Sequence, residues 1–252
     1  MGRLDGRVTI VTGAATGLGA GTVPGLVAEG ATVVVTALGE KEAAAVAEPV
    51  GAVAMALDVT DEAAWQQVVS AVEERFGSVD VLVNNAGIML PDLLESATAE
   101  QFHQHFAVNT IGPFLGIKTV IAPMRRAGGG SIINIGSTEA FTVFPGAGAY
   151  SASKHALRAV TNTAAFELGP DNIRVNTLNM GGVDAGMANA DDHSGIDWEA
   201  FFRTIPLGRL GSIQEVTRAV VFLACDDSSF CTAADLVLDG GKNSGHFVPM
   251  KG

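Results

Sequence analysis

The chain has 252 residues and a mass of 25.8 kDa, which suits one large domain or two small ones with a sizeable buried core. Hydrophobic residues make up 48% of the sequence and charged residues 17%, a composition that excludes an intrinsically disordered chain. The 15 basic residues against 27 acidic residues give a net charge of −12. We therefore expect no surface for nucleic acid or an anionic membrane, because both are bound through clustered lysine and arginine.

The cysteine content indicates a reducing compartment, and the hydropathy indicates a protein without a membrane span. Cys225 and Cys231 are too few for a disulfide framework or a zinc site, and we expect them to be thiols. No long apolar segment follows the basic positions of residues 1–7, and no apolar run reaches the length of a membrane span. His103 and His105 lie on different faces of a predicted helix, so no metal site is predicted. The sequence thus predicts a cytoplasmic protein with no membrane partner.

Short runs rich in β-branched residues alternate with longer, alanine-rich amphipathic stretches. The predicted strands cover residues 8–11, 32–36, 53–57, 81–83, 131–135, 174–178 and 236–238. The predicted helices cover residues 18–29, 40–48, 62–76, 99–126, 149–168 and 213–224. This alternation predicts a doubly wound parallel α/β sheet of about seven strands in a single domain, residues 1–252. The irregular residues 181–209 are predicted to form a lid over a substrate.

A glycine-rich turn, TGAATGLG over residues 12–19, follows the first predicted strand and opens the first predicted helix. Glycines let the backbone turn tightly and approach a pyrophosphate, whose charge is attracted by the free N–H groups and the dipole of the helix. Because the turn lies between a strand and a helix, it favours a dinucleotide site over a tight turn without a ligand.

Three further motifs follow in order along the chain. They are NNAG at residues 84–87, Asn109 in the next helix, and Ser137 followed by Tyr150 and Lys154. With the glycine-rich turn, they resemble the short-chain dehydrogenase/reductase family over essentially the whole chain. Segments 76–80, 114–121 and 128–132 are similar to bacterial NAD-dependent 3α(20β)-hydroxysteroid dehydrogenases. The resemblance implies a Rossmann-type domain, a homotetramer, and hydride transfer between a nicotinamide cofactor and a secondary alcohol or ketone.

The residues Ser137, Tyr150 and Lys154 suit this chemistry. Tyr150 and Lys154 are four residues apart and therefore share one helix face. A nearby ammonium favours a phenolate and lowers the pKa of the phenol, so Tyr150 can exchange a proton with an alcohol or a ketone. The hydroxyl of Ser137 would bind the substrate oxygen, where negative charge develops. By resemblance, Lys154 also holds the ribose hydroxyls of the cofactor.

Pro113 predicts an irregular helix around Asn109. Residue 113 would normally donate its N–H to the carbonyl of residue 109, but proline has no N–H. We therefore expect a kink and a free Asn109 carbonyl. By resemblance, Asn109 is a catalytic residue that binds a water linked to Lys154, and the alternative is an ordinary kink with Asn109 in a polar pocket.

The resemblance also implies the cofactor contacts, which lie mostly after the predicted strands. These are Gly13, Thr16, Gly17, Leu18, Gly19, Ala37, Asp58, Val59, Asn85, Ala86, Gly87, Tyr150, Lys154, Gly181 and Val183. Asp58 is alternatively a cap for the helix that begins near Asp61. Met180 and Ala185 replace the proline and threonine usual in the family, which predicts weaker cofactor binding.

The position that selects the dinucleotide departs from the family pattern. Ala37 replaces the acid that normally binds the adenine ribose and repels the 2′-phosphate of NADP. Thr16 and Leu38 stand where NADP-dependent relatives carry a cation, and Lys41 in the next turn is expected to be solvated. We therefore predict weak discrimination, with a slight preference for NAD and with NADPH also accepted.

An apolar wall predicts an apolar ketone or alcohol as the substrate, steroid-, terpenoid- or aryl-ketone-like. Its predicted residues, which could equally be lid core, are Met89, Leu90, Phe141, Phe144, Met187, Trp198, Phe201 and Phe202. A 3-oxoacyl-thioester reductase and a non-catalytic dinucleotide sensor remain alternatives. Residues 236–241 and 246–249 are the predicted subunit interface.

Overall fold

Seven parallel strands form the central sheet. The computed structural model describes residues 2–184 and 198–245 (for 198–200, the backbone only). The described residues contain nine strands, seven in the central sheet and two in a separate ribbon. They are β1 (Val8–Val11), β2 (Thr32–Ala37), β3 (Val53–Ala56), β4 (Val81–Asn84), β5 (Gly130–Ser137), β6 (Ile173–Met180), β7 (Val183–Asp184), β8 (Gly211–Ser212) and β9 (Asp235–Leu238). The sheet order is β3-β2-β1-β4-β5-β6-β9, and β7 pairs only with β8. The predicted single-domain, doubly wound sheet is confirmed.

Eight helices accompany the strands in the described residues. They are α1 (Gly17–Ala28), α2 (Glu40–Ala47), α3 (Glu62–Phe76), α4 (Ala99–Phe106), α5 (Gly112–Ala127), α6 (Gly148–Leu168), α7 (Trp198–Arg203) and α8 (Ile213–Ala224). One buried cluster joins α1, α2 and α8 to one face of the sheet, and a second joins α3, α5 and α6 to the other. Along β2, Val33 and Val35 face the first cluster and Val34 faces the second, as the alternation of a strand requires. Burial on both faces explains the unbroken apolar strands.

The strands β5 and β6 run further than the sequence predicted. The prediction ended them at residues 135 and 178, whereas they end at Ser137 and Met180. Three of the four added residues, Gly136, Ser137 and Asn179, have little intrinsic preference for a strand, so pairing between β5 and β6 decides their conformation. The extension places Ser137 on the rigid sheet rather than in a loop.

The segment around Asn109 is irregular in a way that differs from the predicted kink. A π-helical turn, Ala107–Ile111, joins α4 to α5, and the Gly112 N–H donates to the carbonyl of Ala107. Such a turn takes one extra residue into the helix, which is one way of accommodating a proline at position 113. The resulting helix, Ala99–Ala127, is 29 residues long and apolar enough to cross a membrane, contrary to the sequence analysis. Half of its most apolar window is buried within the protein, as in a core helix.

The helices α1 and α8 approach closely because two glycines of α1 face α8. A Cβ atom at Gly21 would lie 2.6 Å from Cγ2 of Ile213, and one at Gly25 would lie 2.3 Å from Cγ2 of Thr217. The exposed Pro24 lies between these glycines, and α1 continues through it. The glycines therefore bring α1, which begins in the glycine-rich turn, against the core helix α8.

We predict that Gly25→Ala destabilises the protein, although alanine is the better helix former. The new methyl group would overlap Cγ2 of Thr217, and overpacking of this kind costs about 1–3 kcal/mol. Urea unfolding measures the loss. Thr217→Ser removes only that methyl group, so the double variant should recover most of the stability. A stabilised single variant would contradict the prediction.

Candidate active site

The predicted site residues collect at the carboxyl ends of β1, β4, β5 and β6. The side chain of Thr12 ties the ends of β1 and β4 together, because its Oγ1 accepts the N–H groups of Asn85 and Ala86, each at 3.0 Å. In return, Nδ2 of Asn85 donates to the carbonyls of Thr12 at 2.8 Å and Gly13 at 3.2 Å. Strand order reverses between β1 and β4, which is where open α/β sheets bind ligands.

The glycine-rich turn fits a pyrophosphate. Gly13 has a φ of 60°, and a Cβ there would lie 2.7 Å from Cα of Ala86. Gly17 has a φ of 57° and faces open space, which leaves room for a ligand at the start of α1. Within the described residues, the Thr16 side chain does not cap α1, and no acidic residue lies in its first turn. The N–H groups in the first turn of α1 can therefore donate hydrogen bonds to a phosphate.

The residues at the adenine end offer little charge. Ala37 ends β2 and is buried, whereas Leu38 is 80% exposed. Oδ1 of Asp58 accepts the N–H of Thr60 at 2.9 Å and its hydroxyl at 2.7 Å. The cap of α3 is Asp61, which accepts the N–H groups of residues 63 and 64, so the alternative role of Asp58 as that cap is wrong. The exposed Asp58 is therefore free of a helix-capping duty.

Ser137, Tyr150 and Lys154 lie together. Ser137 ends β5, and its hydroxyl, which accepts the Glu139 N–H at 3.1 Å, lies close enough to the phenol of Tyr150 on α6 to lower the pKa of that phenol. Nζ of Lys154 donates to the carbonyl of Ile135 at 2.8 Å and lies 5.7 Å from the centroid of the Tyr150 ring. The cluster thus presents two hydroxyl groups and one ammonium group between β5 and α6.

Burial controls the pKa values of this cluster. It lowers the pKa of Lys154 to about 8. Burial also raises the pKa of Tyr150. The neighbouring Ser137 hydroxyl lowers this pKa in part, and the nearby Glu139 carboxylate raises it further. The predicted lowering of the Tyr150 pKa by Lys154 is therefore wrong. Burial of the phenol outweighs any stabilisation of the phenolate by Lys154, whose own pKa burial lowers.

Asn109 acts through its side chain. The π-helical turn buries it fully, where Oδ1 accepts the Ile88 N–H at 2.8 Å and Nδ2 donates to the Ile88 carbonyl at 2.9 Å. Nδ2 also donates to Oγ of Ser153 at 3.0 Å. A Cβ at Gly87 would lie 3.2 Å from Oδ1 of Asn109 and 3.7 Å from Nζ of Lys154. Asn109 and Lys154 therefore flank a narrow space that glycine leaves free.

The described part of the predicted substrate wall is half exposed. Met89, Leu90, Phe141 and Phe144 expose 44%, 45%, 39% and 42% of their surface. Phe201 and Phe202 of α7 are partly buried with their ring centroids 6.2 Å apart, whereas Met187 and the Trp198 side chain lie outside the described residues. Two of these rings contact cations: Cζ of Arg158 lies 4.7 Å from the Phe141 ring centroid, and Nζ of Lys242 lies 4.5 Å from that of Phe201.

The residues that follow β6 pack against β9 and β8. The Gly181 N–H donates to the carbonyl of Leu238 at 3.0 Å, and a Cβ there would lie 2.7 Å from Cβ of Asp239. Val183 pairs with Gly211 in the β7–β8 ribbon, and Met180 is buried at the end of β6. Ala185 lies outside the described residues.

A cavity of about 190 Å³ lies at the amino ends of the strands, opposite the predicted site. Its two arginines are already engaged. Arg174 donates to the carbonyls of Leu223 and Cys225 at the end of α8, and Arg7 pairs with Asp226 at 3.0 Å. These contacts hold α8 to the sheet and give the cavity a structural role.

The sequence analysis missed the parts played by Thr12, Glu139, Ser153 and His105. Thr12 was within the glycine-rich motif, but its role depends on residues 85 and 86, which are distant in sequence. Glu139 is buried and accepts a weak hydrogen bond from Ser151 at 3.4 Å. A glutamate two residues after a predicted catalytic serine was the only signal for it.

Comparison with known proteins places these features in one family. A family model described as enoyl-(acyl carrier protein) reductase matches residues 13–243. The chain belongs to the short-chain dehydrogenase/reductase family. It is 40% identical to trans-4-hydroxycyclohexanecarboxylate dehydrogenase of Sinomonas cyclohexanicum, over 97% of this chain and 95% of that protein. It is 42% identical to 3-alpha-(or 20-beta)-hydroxysteroid dehydrogenase of Mycobacterium tuberculosis, over 97% and 92%.

A solved dehydrogenase structure supports the same assignment. Gluconate 5-dehydrogenase of Burkholderia cenocepacia, in complex with NADP and tartrate, superposes with a TM-score of 0.90 at 32% identity. The match covers 96% of this chain and 97% of that one. The chain is accordingly an oxidoreductase that uses a nicotinamide dinucleotide and acts on CH–OH groups. The predicted family and enzyme class are confirmed.

We predict that Lys154 makes stability depend on pH above neutrality. Its pKa falls from 10.5 to about 8 on folding, so between these values the unfolded chain holds a proton that the native protein lacks. The free energy of unfolding should therefore rise from about pH 8 to about pH 10, by roughly 2 kcal/mol from this residue. Urea unfolding of the wild type and of Lys154→Met measures the difference. Equal slopes in the two proteins would contradict the prediction.

Proposed function

We propose that this short-chain dehydrogenase interconverts an apolar, alicyclic or aryl secondary alcohol and its ketone. The observation that carries the proposal is the cluster of Ser137, Tyr150 and Lys154 beside a half-exposed apolar wall. The two similar curated enzymes are named for a hydroxylated cyclohexane acid and for hydroxysteroids, both of them alicyclic alcohols. An apolar wall with few convergent polar groups suits such a substrate.

In the proposed mechanism Ser137 and Tyr150 act directly on the substrate oxygen. The Ser137 hydroxyl orients that oxygen, and Tyr150 donates a proton to it in ketone reduction or removes one in alcohol oxidation. The raised pKa keeps the Tyr150 phenol protonated near neutral pH, which suits the proton donor of ketone reduction. The nicotinamide ring, when bound, supplies or accepts the hydride at the substrate carbon.

Lys154 supports the proton transfer electrostatically. With a pKa of about 8, its ammonium is still mostly charged at neutral pH, and it lies 5.7 Å from the centre of the Tyr150 ring. At that pH the charge favours the phenolate that forms when Tyr150 gives its proton to the substrate. Asn109 binds the backbone of Ile88 and faces the space next to Lys154. It thereby positions the segment 88–90, which carries two residues of the apolar wall.

We propose that the pyrophosphate binds the first turn of α1 and Gly13, with Leu18 and Gly19 behind that turn. The nicotinamide ribose then lies against Tyr150, Lys154 and residues 85–87, and its carboxamide near Gly181 and Val183. The adenine lies between Ala37 and residues 58–59. The positive φ values, the open space at Gly17 and the uncapped helix support the pyrophosphate part.

A 3-oxoacyl-thioester reductase is the second candidate, because the matching family model is described as an enoyl-(acyl carrier protein) reductase. The net charge of −12 disfavours docking of an acidic carrier protein. Steady-state assays with a panel of apolar cyclic ketones beside an acetoacetyl thioester distinguish the two. Turnover of the thioester alone would contradict the apolar-ketone proposal.

We predict that Tyr150→Phe lowers kcat/KM for ketone reduction by a factor of about 10² to 10⁴. The variant keeps the ring and removes only the proton donor, so binding of the reduced dinucleotide, followed by fluorescence, should change little. A near-wild-type rate would refute the role of Tyr150. The non-catalytic dinucleotide sensor is disfavoured, because the chain belongs to an oxidoreductase family and keeps Asn109, Ser137, Tyr150 and Lys154.

We propose that both dinucleotides are accepted, with a slight preference for NAD. The buried Ala37, the exposed Leu38 and the uncharged Thr16 provide neither an acid for the ribose nor a cation for the 2′-phosphate. The similar gluconate 5-dehydrogenase structure contains NADP.

We predict that kcat/KM for NADH and NADPH differs by less than about a hundredfold in the wild type. Ala37→Asp should shift the preference at least about tenfold toward NADH, because the new carboxylate binds ribose hydroxyls and repels the 2′-phosphate. Ala37→Asn has the same shape without the charge and serves as the control. A shift of equal size in both variants would show that charge is not the cause.

We also propose a cytoplasmic homotetramer. The thiols Cys225 and Cys231 are both free, as a reducing compartment maintains them. The edge strand β9 exposes 41% of Val237 within the predicted interface, and residues 246–249 of that interface lie outside the described residues. Light scattering that gives the mass of one chain at micromolar concentration would reject the tetramer.

A further inference from the structure

His105 is a fully buried histidine in the last turn of α4, and both of its ring nitrogens have partners. The backbone N–H of Leu90 lies 3.0 Å from Nε2, and the carbonyl of Gln101 lies 2.7 Å from Nδ1. An N–H group only donates, so Nε2 accepts and Nδ1 carries the hydrogen that is donated to Gln101. These partners select one neutral tautomer of the ring.

His105 and Asn109 hold one short segment of the chain. They are four residues apart, and they bind alternate residues of the segment that follows β4: Asn109 binds Ile88 through two hydrogen bonds, and His105 binds Leu90 through one. The side chains of Met89 and Leu90 remain 44% and 45% exposed. The hydrogen bonds therefore attach the backbone of this segment while leaving its apolar side chains free for a ligand.

The same imidazole ring touches the proposed proton donor. The ring centroids of His105 and Tyr150 are 6.4 Å apart, and the planes meet at 74°, so the contact is edge to face. One rigid ring thus contacts both the segment that carries two residues of the apolar wall and the phenol beside Ser137. The ring therefore lies between the backbone of Leu90, a residue of the apolar wall, and the phenol ring of Tyr150.

We propose that His105 is a positioning residue that sets the distance between the substrate wall and Tyr150. The proposal rests on the proposed role of Tyr150, because a wall matters only relative to the group that transfers the proton. Leu90 is half exposed, so water can replace His105 as the acceptor for its N–H. Loss of the hydrogen bond therefore loosens the segment and weakens substrate binding more than it unfolds the protein.

Two substitutions separate the two nitrogen atoms. In His105→Gln, the amide oxygen reaches the position of Nε2 and still accepts the Leu90 N–H. In His105→Asn, the shorter amide reaches only the position of Nδ1, so it keeps a donor for Gln101 and loses the acceptor for Leu90. Both variants shrink the ring contact with Tyr150, so they differ in which of the two hydrogen bonds is kept: the Leu90 bond in His105→Gln and the Gln101 bond in His105→Asn.

We expect His105→Asn to raise KM for an apolar cyclic ketone about tenfold, with kcat changed less than about threefold and binding of reduced dinucleotide unchanged. His105→Gln should stay within about threefold of wild type in KM. Hydrogen exchange of residues 88–90, followed by mass spectrometry, should be faster in the asparagine variant than in the glutamine variant. Equal KM values and equal exchange in the two variants would overturn the proposal, because a ring that only fills the core would be missed equally in both.

If His105→Asn does not fold, the hydrogen bond can be removed from its other end. Leu90→Pro deletes the N–H, and Leu90→Ala is its control for the lost side chain. A higher KM in the proline variant than in the alanine variant supports the proposal, and equal values overturn it. Failure of the proposed function is separate: it appears as activity surviving in Tyr150→Phe, whereas the exchange of residues 88–90 reports on His105 without catalysis.

Discussion

The close approach of the ends of β1 and β4 is the constraint on which the rest of the site depends. A Cβ at Gly13 would lie 2.7 Å from Cα of Ala86, so the two strand ends meet almost backbone to backbone. Four hydrogen bonds join residues 12 and 13 to residues 85 and 86 across this contact, and two of them are between Thr12 and Asn85. Because the turn before α1 and the segment after β4 are held as one unit, the groove for the dinucleotide and the substrate segment share a common origin.

A second set of polar contacts carries this arrangement across to α6. Asn109 donates to Oγ of Ser153, and Thr110 donates to the carbonyl of the same serine at 2.9 Å. Ser153 immediately precedes Lys154, whose Nζ is bound to the β5 backbone at Ile135. The buried ammonium is therefore held between a helix and a strand that are themselves tied to the π-helical turn. Such fully connected buried groups fix one geometry, since a displaced member would lose its partner.

The sequence predicted the parts of the structure that depend on local chemistry. The glycines of residues 12–19, the spacing of Tyr150 and Lys154, and the apolar strands follow from local rules, and the sheet was confirmed. The direction of the Tyr150 pKa shift was not predictable, because it depends on the burial of the phenol and of the ammonium. The sequence analysis considered His105 only as a possible metal ligand, since its partner Leu90 is fifteen residues away and is brought close only by the fold. The form of the helix around Pro113 was also missed, because a kink and a π-helical turn can each accommodate a proline that lacks an N–H.

The π-helical turn Ala107–Ile111 also sets the rotational phase of the whole 29-residue helix. Each residue of an α-helix turns the chain by about 100°, so one extra residue rotates everything after it by that amount relative to everything before it. The face of α4 that carries His105 is thereby uncoupled from the face of α5 that packs in the core. Deletion of one residue within the turn would give a more regular helix and yet misalign one of the two faces. The length of this segment, more than its composition, keeps the site and the core in register.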